Sequence, residues 1–414
     1  MSDRKLSDWI TAFMRLTENT EPAPLFRKWT AISVLACALR RKCRIDWGSL
    51  TFYPNLYVVL VGPSGCRKGT AMDPGYDIAS EIPDIKLAAE ATTREALIRQ
   101  LEKANYTETD LSTGEMQFHS SLTIWSQELT VFLGYHNRQL MADLCDWYDC
   151  RSRWKYETKT QGINEIVGVW VHLHAATTPD LIQTSIPLDA IGGGLTSRMV
   201  MVYEPSKGKI VSYPELTSEQ VALKQQLIID LGHINNMKGA FKYTEGFMNK
   251  WVDWYSSTNG NPPFKDHRFT GYFERRPTHV MKLSMIMSAS RRDCIKRNEM
   301  VVTADDLELA IATLEETEIK MPNVFSGVGR AKTADLYPQL TAEIAASGEI
   351  EVQELMARFY RDTDQRELEV MLGVLEYMGS IKMTRGTSGE TRVKFIGDCK
   401  LPSNFDPSKE ETNG

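Results

Sequence analysis

The stretch "PNLYVVLVGPSGCRKG", residues 54–69, constrains the fold more than any other part of the chain. Its aliphatic and β-branched run has no polar alternation, so a strand built from it must be covered on both faces, the condition of a central strand in a parallel sheet. Glycines directly behind such a strand supply a tight turn whose backbone amides can converge on an anion. A following helix adds its positive N-terminal end. Counted from Gly62, the pattern G-x-x-x-x-G-K-[ST] places Lys68 in the lysine position. The expected phosphate-binding set is therefore Gly62, Pro63, Ser64, Gly65, Cys66, Arg67, Lys68, Gly69 and Thr70.

Two positions depart from that pattern. Arg67 stands where the last glycine belongs, adding a cation but also a Cβ that resists positive φ. Gly69 stands at the hydroxyl position and has no oxygen for magnesium. Thr70 lies one residue further, about 100° around the helix. Either Thr70 shifts into the metal shell or water fills that ligand place.

Further strands are expected at 120–129, 168–179 and 197–205, with helices between most of them, such as "TTREALIRQLEKA" capped by Thr92 or Thr93. Alternation of this kind argues for an α/β fold with a parallel sheet. Residues 1–50 read as a helical N-terminal segment and 51–215 as the α/β core. Residues 216–330 read as consecutive amphipathic helices without strands. Residues 331–398 read as three helices closed by a hairpin, the winged-helix pattern, and the polar stretch 399–414 as a disordered tail. The 414 residues carry a net charge of -6, which excludes a uniformly basic nucleic-acid binder and leaves only local patches or pores. No apolar run approaches a membrane span, the first residues lack a signal-peptide core, and seven cysteines without framework spacing fit a reducing cytoplasm.

Other residues carry candidate chemistry. Glu128 ends the second strand where a water-activating or metal-linked carboxylate belongs, and Gln127 occupies the place of a metal-linked aspartate. Glu128 is also a candidate helix cap. The metal set would then be Thr70 and Glu128. Thr177 or Thr178, at the tip of the third strand, fits a γ-phosphate sensor or a turn-initiating Thr-Pro. Arg198 follows three glycines and reads either as an arginine finger or as the partner of a local carboxylate. Arg275 and Arg276, opening a helix with Pro277 near its first turn, would close over a nucleotide. "CRSRWKYETKTQG" joins Arg151, Arg153, Trp154, Lys155 and Lys159 into a basic, aromatic patch suited to single-stranded DNA, or into a solvated hairpin whose aromatics simply pack. Cys145, Cys150, His172 and His174 are too loosely spaced for zinc and read as core residues. Asp143, Asp146 and Asp149 form a solvated helical stripe.

Taken in order, "PNLYVVLVGPSGCRKGTAM", "SLTIWSQELTVFLG", "WKYETKTQG", "HAATTPDLI", "GGGLTSRMVMVYE" and "RRPTHVMKLSM" resemble a group of phage and mobile-element P-loop ATPases. These are primase-helicase-like replication proteins akin to AAA+ and other ring helicases, and the resemblance spans roughly residues 5–320. It implies ATP and magnesium as ligands, with Lys68 on phosphate, Glu128 activating water, Thr178 sensing and Arg198 acting on a neighbouring subunit. It further implies a ring, expected as a hexamer, around single-stranded DNA, acting as a helicase in DNA replication in the cytoplasm of a bacterial host. Two rivals stand beside it. One is a replication initiator switched by ATP with weak hydrolysis. The other is an ATPase directed at proteins, for example in phage defence.

Overall fold

A computed structural model describes residues 4–89, 92–109, 114, 116–134, 137–158, 162–186, 193–296, 299–325, 336–385 and 390–397. The chain divides into two compact units, 1–326 and 327–414. The expected tail at 399–414, like Lys159, lies outside the described residues.

The first unit begins with α1 (Trp9–Leu16), capped by the Asp8 carboxylate, and α2 (Pro24–Leu39) with proline in its first turn. Almost every side chain of α2 is buried, so it is a core helix rather than an amphipathic one. A ribbon of β1 (Cys43–Trp47) and β2 (Leu50–Phe52) follows, then β3 (Tyr57–Val61), buried at every residue. Next come α3 (Lys68–Ser80), α4 (Arg94–Lys103), β4 (Asn105–Thr109) and β5 (Met116–Ser126). The N-cap of α4 is Thr93, whose hydroxyl accepts from Ala96 N. After α5 (Leu129–Leu133) and α6 (Arg138–Tyr148), the hairpin β6 (Arg153–Thr158) and β7 (Gly162–Val167) leads into β8 (Val169–Thr177). Helix α7 (Pro179–Ser185) and a short 3₁₀ turn (Thr196–Arg198) precede β9 (Met199–Tyr203).

The main sheet has the order β4-β5-β8-β3-β9. Strands β5, β8, β3 and β9 run parallel, while β4 pairs antiparallel with β5 at one edge, so the sheet is mixed. Val61 aligns with both Thr177 and Tyr203, and Ser126 with Ala175. The segments after β3, β5, β8 and β9 therefore leave the sheet along one edge. That places the loop after β3, residues 127–128, Thr178 and Glu204 side by side. In open parallel sheets the carboxyl edge is where ligands bind, most often where neighbouring strands lead the chain to opposite sides.

The remainder of this unit is helical, but not without strands. It runs α8 (Ser218–Asn235), β10 (Gly239–Ala240), β11 (Lys242–Tyr243), α9 (Glu245–Thr258), α10 (Thr270–Ser290), β12 (Ile295–Lys296), β13 (Glu299–Val302) and α11 (Ala304–Glu318). Strand β10 pairs parallel with β1, and β11 with β13. Strands of two to four residues carry too little period to stand out, which is why the sequence read this region as helix alone. Helix α10 begins at Thr270, so Arg275 and Arg276 lie in its second turn and Pro277 is internal, not a starting residue. Among the described residues, no helix is long and apolar enough to cross a membrane.

In the second unit, α12 (Leu336–Ser347), β14 (Glu349–Glu351), α13 (Val352–Phe359) and α14 (Gln365–Tyr377) precede β15 (Ile381–Arg385) and β16 (Thr391–Phe395). The sheet is antiparallel in the order β14-β16-β15, one strand more than the expected hairpin. Leu340, Ile344, Leu355, Leu368, Leu372 and Val393 form its core.

Candidate functional site

The loop from Gly62 to Arg67 leaves β3, which lies between β8 and β9, and enters α3 directly, with Arg67 as its N-cap residue. Arg67 takes the left-handed conformation, φ 62° and ψ 33°, that a glycine would take there. That geometry costs a side-chain-bearing residue about 1 kcal/mol. Gly62 N donates to Thr177 O at 3.3 Å, and Cys66 Sγ lies 3.7 Å from Glu204 O, so the loop is pinned to the ends of β8 and β9. Pro63, Ser64 and Gly65 at its crest are exposed.

Lys68 folds back over this loop. Its Nζ donates to Gly62 O at 2.7 Å and to Pro63 O at 2.9 Å. Burial lowers the pKa of its ammonium, while Cys66 and Glu128 act in the opposite sense. An ammonium held only by carbonyl dipoles lacks an anionic partner in direct contact, and a phosphate group would supply one. Glu128 precedes α5, yet its side chain makes no capping bond; it is exposed beside the loop, and Ser126 Oγ donates to its carbonyl at 3.1 Å. Glu128 is thus the N-cap residue of α5 through its backbone carbonyl, with its carboxylate left free of that task.

The mouth of the loop holds residues that no local pattern singles out. Arg67 Nε donates to Glu21 Oε2 and Lys207 Nζ to Glu21 Oε1, both at 2.6 Å. These two bonds, to Lys207 first and then Arg67, hold the Glu21 carboxyl at a pKa of about 2. Lys320 Nζ reaches Glu204 Oε2 at 2.7 Å. On the other side, Gln127 Nε2 donates to Asp73 Oδ1 at 2.7 Å, bringing α3 and the end of β5 together. Glu21, Lys207 and Asp73 became visible only through the fold, because their partners are distant in sequence or lie on another strand.

Other expected residues are placed as follows. Thr178 Oγ1 accepts from Leu181 N at 3.4 Å and Pro179 opens α7, the arrangement of a Thr-Pro helix start; Thr177 is buried. Arg198 is buried and pairs with Asp149, its Nη2 2.5 Å from Oδ2, while Nη1 donates to Gly194 O at 2.7 Å. This is the local carboxylate pair of the two readings. Arg275 shares the same carboxylate at 3.5 Å. Arg276 turns instead to buried Glu318, with Nε 2.7 Å from Oε1, so it does not reach over the loop. Thr70 is exposed on the first turn of α3.

In the β6–β7 hairpin, Trp154 is buried against Trp147, with ring centroids 5.5 Å apart, and stacks on Tyr156. Its ring is engaged within the protein and cannot take a base. Arg151, Arg153 and Lys155 are exposed, pairing with Asp146, Glu165 and Glu165. His174 sits between the hydroxyls of Thr30 and Ser33, each 3.1 Å away, and His172 Nδ1 accepts from Leu56 N, which makes both core residues. Asp143 is buried against Arg94 rather than forming part of a solvated stripe. Compared with known proteins, the chain matches no protein-family model and no curated relative. Its function must be argued from these residues.

Proposed function

We propose that the first unit is a P-loop ATPase core whose nucleotide site is the 62–70 loop, and that the chain is a ring-forming, DNA-directed ATPase of replication. The observation that carries the nucleotide reading is Lys68, poised on the carbonyls of Gly62 and Pro63 at the tip of an inner parallel strand. Exchanging two neutral acceptors for a phosphate oxygen converts its bonds into charge-assisted ones. Backbone amides of the loop and the start of α3 would receive the remaining phosphate oxygens. Arg67 and Lys207 stand within the same mouth as further cations. Exposed Glu128 is the group placed to orient an attacking water, and Lys68 would offset charge building on the phosphate.

Magnesium, when bound, would neutralise the β- and γ-phosphate oxygens. It requires few protein ligands, because phosphate and water complete its octahedron. The chain offers hard oxygens here from Gln127, Asp73 and Glu128.

Support for DNA rests on the exposed guanidinium and ammonium groups of Arg151, Arg153 and Lys155. The second unit, with three helices and an antiparallel sheet, fits a winged helix. Its α14 carries exposed Glu367, Glu369 and Glu376, which suits a protein contact better than the major groove. A role for Arg198 in trans would require its release from Asp149.

Calorimetric titration of the full chain with ATP tests the core proposal. Binding that weakens at least about tenfold in Lys68→Ala is expected. Absence of heat with either adenine or guanine triphosphates would end it. Strand displacement on a forked duplex, with Lys68→Ala as control, tests the helicase role against the initiator alternative.

A further inference from the structure

Gly69 and Gln127 are the two departures that remove oxygen ligands from the expected magnesium site, and the structure brings them into contact. A Cβ built on Gly69 would lie 2.9 Å from Gln127 Oε1, 3.4 Å from its Cδ and 3.8 Å from its Nε2. The carboxamide oxygen thus stands in the space that a serine or threonine hydroxyl at position 69 would sweep. Its orientation is fixed chemically. Asp73 Oδ1 can only accept when ionised, so the amide nitrogen must face Asp73 and the oxygen must face Gly69. A side chain at 69 would have to displace the exposed Gln127 carboxamide, so the two departures are neighbours in space rather than unrelated losses.

We propose that the Gln127 carboxamide oxygen replaces the missing hydroxyl as a magnesium ligand, with Asp73 as the residue that positions it. Resting on the nucleotide reading above, this names the metal-binding residue of that same site. Amide carbonyls, like carboxylates and water, are hard oxygen donors suited to magnesium. Gln127 is exposed, bonded to Asp73 and beside Gly69, so truncating it removes no buried side chain. The Thr70 hydroxyl is then not required in the shell.

The test is the magnesium dependence of ADP affinity, measured by calorimetry on the full chain in magnesium and in EDTA, with no turnover involved. The wild type should gain about tenfold in affinity from magnesium. Gln127→Ala should keep the EDTA affinity and lose the gain. Gly69→Ser combined with Gln127→Ala should regain it, because the serine hydroxyl now has room. Asp73→Ala should lose part of the gain and Asp73→Asn, which still offers an acceptor oxygen, should keep it. If Gln127→Ala retains the full gain, or if the wild type binds ADP without any gain, this proposal is overturned while the nucleotide site stands. If the wild type binds no ADP in either buffer, both fall together.

Discussion

Moving from about pH 7 to about pH 5.5 should weaken the first unit sharply, because its buried histidines are held neutral. His119, His172, His174 and His279 are buried, and burial lowers the pKa of each, to about 3 for His119, His174 and His279 and well below the ordinary value for His172. Cations near His119, led by Arg40, push in the same direction. In the unfolded chain a histidine titrates near 6.5. Below that value the unfolded state takes up protons that the native state refuses, so stability is complete above pH ~6.5 and is lost as the pH falls toward ~3. Over the stated interval each histidine costs about 1.3 kcal/mol, and the four together roughly 5 kcal/mol. Burial raises the Asp143 and Glu318 carboxyls, which take up protons in the opposite sense and keep the net loss below that sum. Glu21, held at about 2, releases its contribution only between its ordinary value and that pH, outside the interval. Urea unfolding followed by tryptophan fluorescence reads the effect cleanly, since all nine tryptophans and all seven histidines precede residue 280. With an m of about 3 kcal/mol/M the midpoint should fall by about 1 M. His119→Gln should reduce the pH-dependent fall by about a quarter. A midpoint unchanged between the two pH values, or the same fall in that variant, would refute the reasoning.

Gly75→Ala should cost about 1–3 kcal/mol, read as a lower urea midpoint, because its new Cβ would overlap Thr30 Cγ2 and meet Trp125 and Val34 at 3.1 Å, where α3 packs on α2. An unchanged midpoint would show that α2 yields there. Glu21→Gln removes the charge shared by Arg67 and Lys207 and should tighten ATP binding in calorimetry, by about tenfold at most. Weaker binding would show that Glu21 presents those cations instead of occupying them.

The sequence made legible what depends on local patterns. The unbroken apolar run of β3 and the largely apolar run of β8 identified buried strands, the Thr92–Thr93 pair announced α4, and the lysine register pointed to the loop later found at the sheet edge. What remained hidden depends on pairs far apart in sequence. Nothing near Asp149 predicts Arg198, and nothing near Glu21 predicts Arg67 or Lys207. Arg275 and Arg276 were misplaced because Pro277, a common first-turn residue, here sits inside a long helix. Gln127 read as a loss because its compensation by the empty space at Gly69 is a property of two elements meeting.

Near its beginning the chain is stitched to its far interior. The Arg4 guanidinium donates to the carbonyls of Ala289, Ser290 and Arg291, where α10 ends, and Lys5 and Leu6 amides donate to Asp230. Translation at about 5–20 residues per second takes roughly 15–60 s to deliver those partners after residue 4 has been made. Over that time the sticky faces of α1 and α2 emerge from the ribosome before the helices that cover them exist. The contacts of Arg4, Lys5 and Leu6 can therefore form only after α8 and α10 have been made.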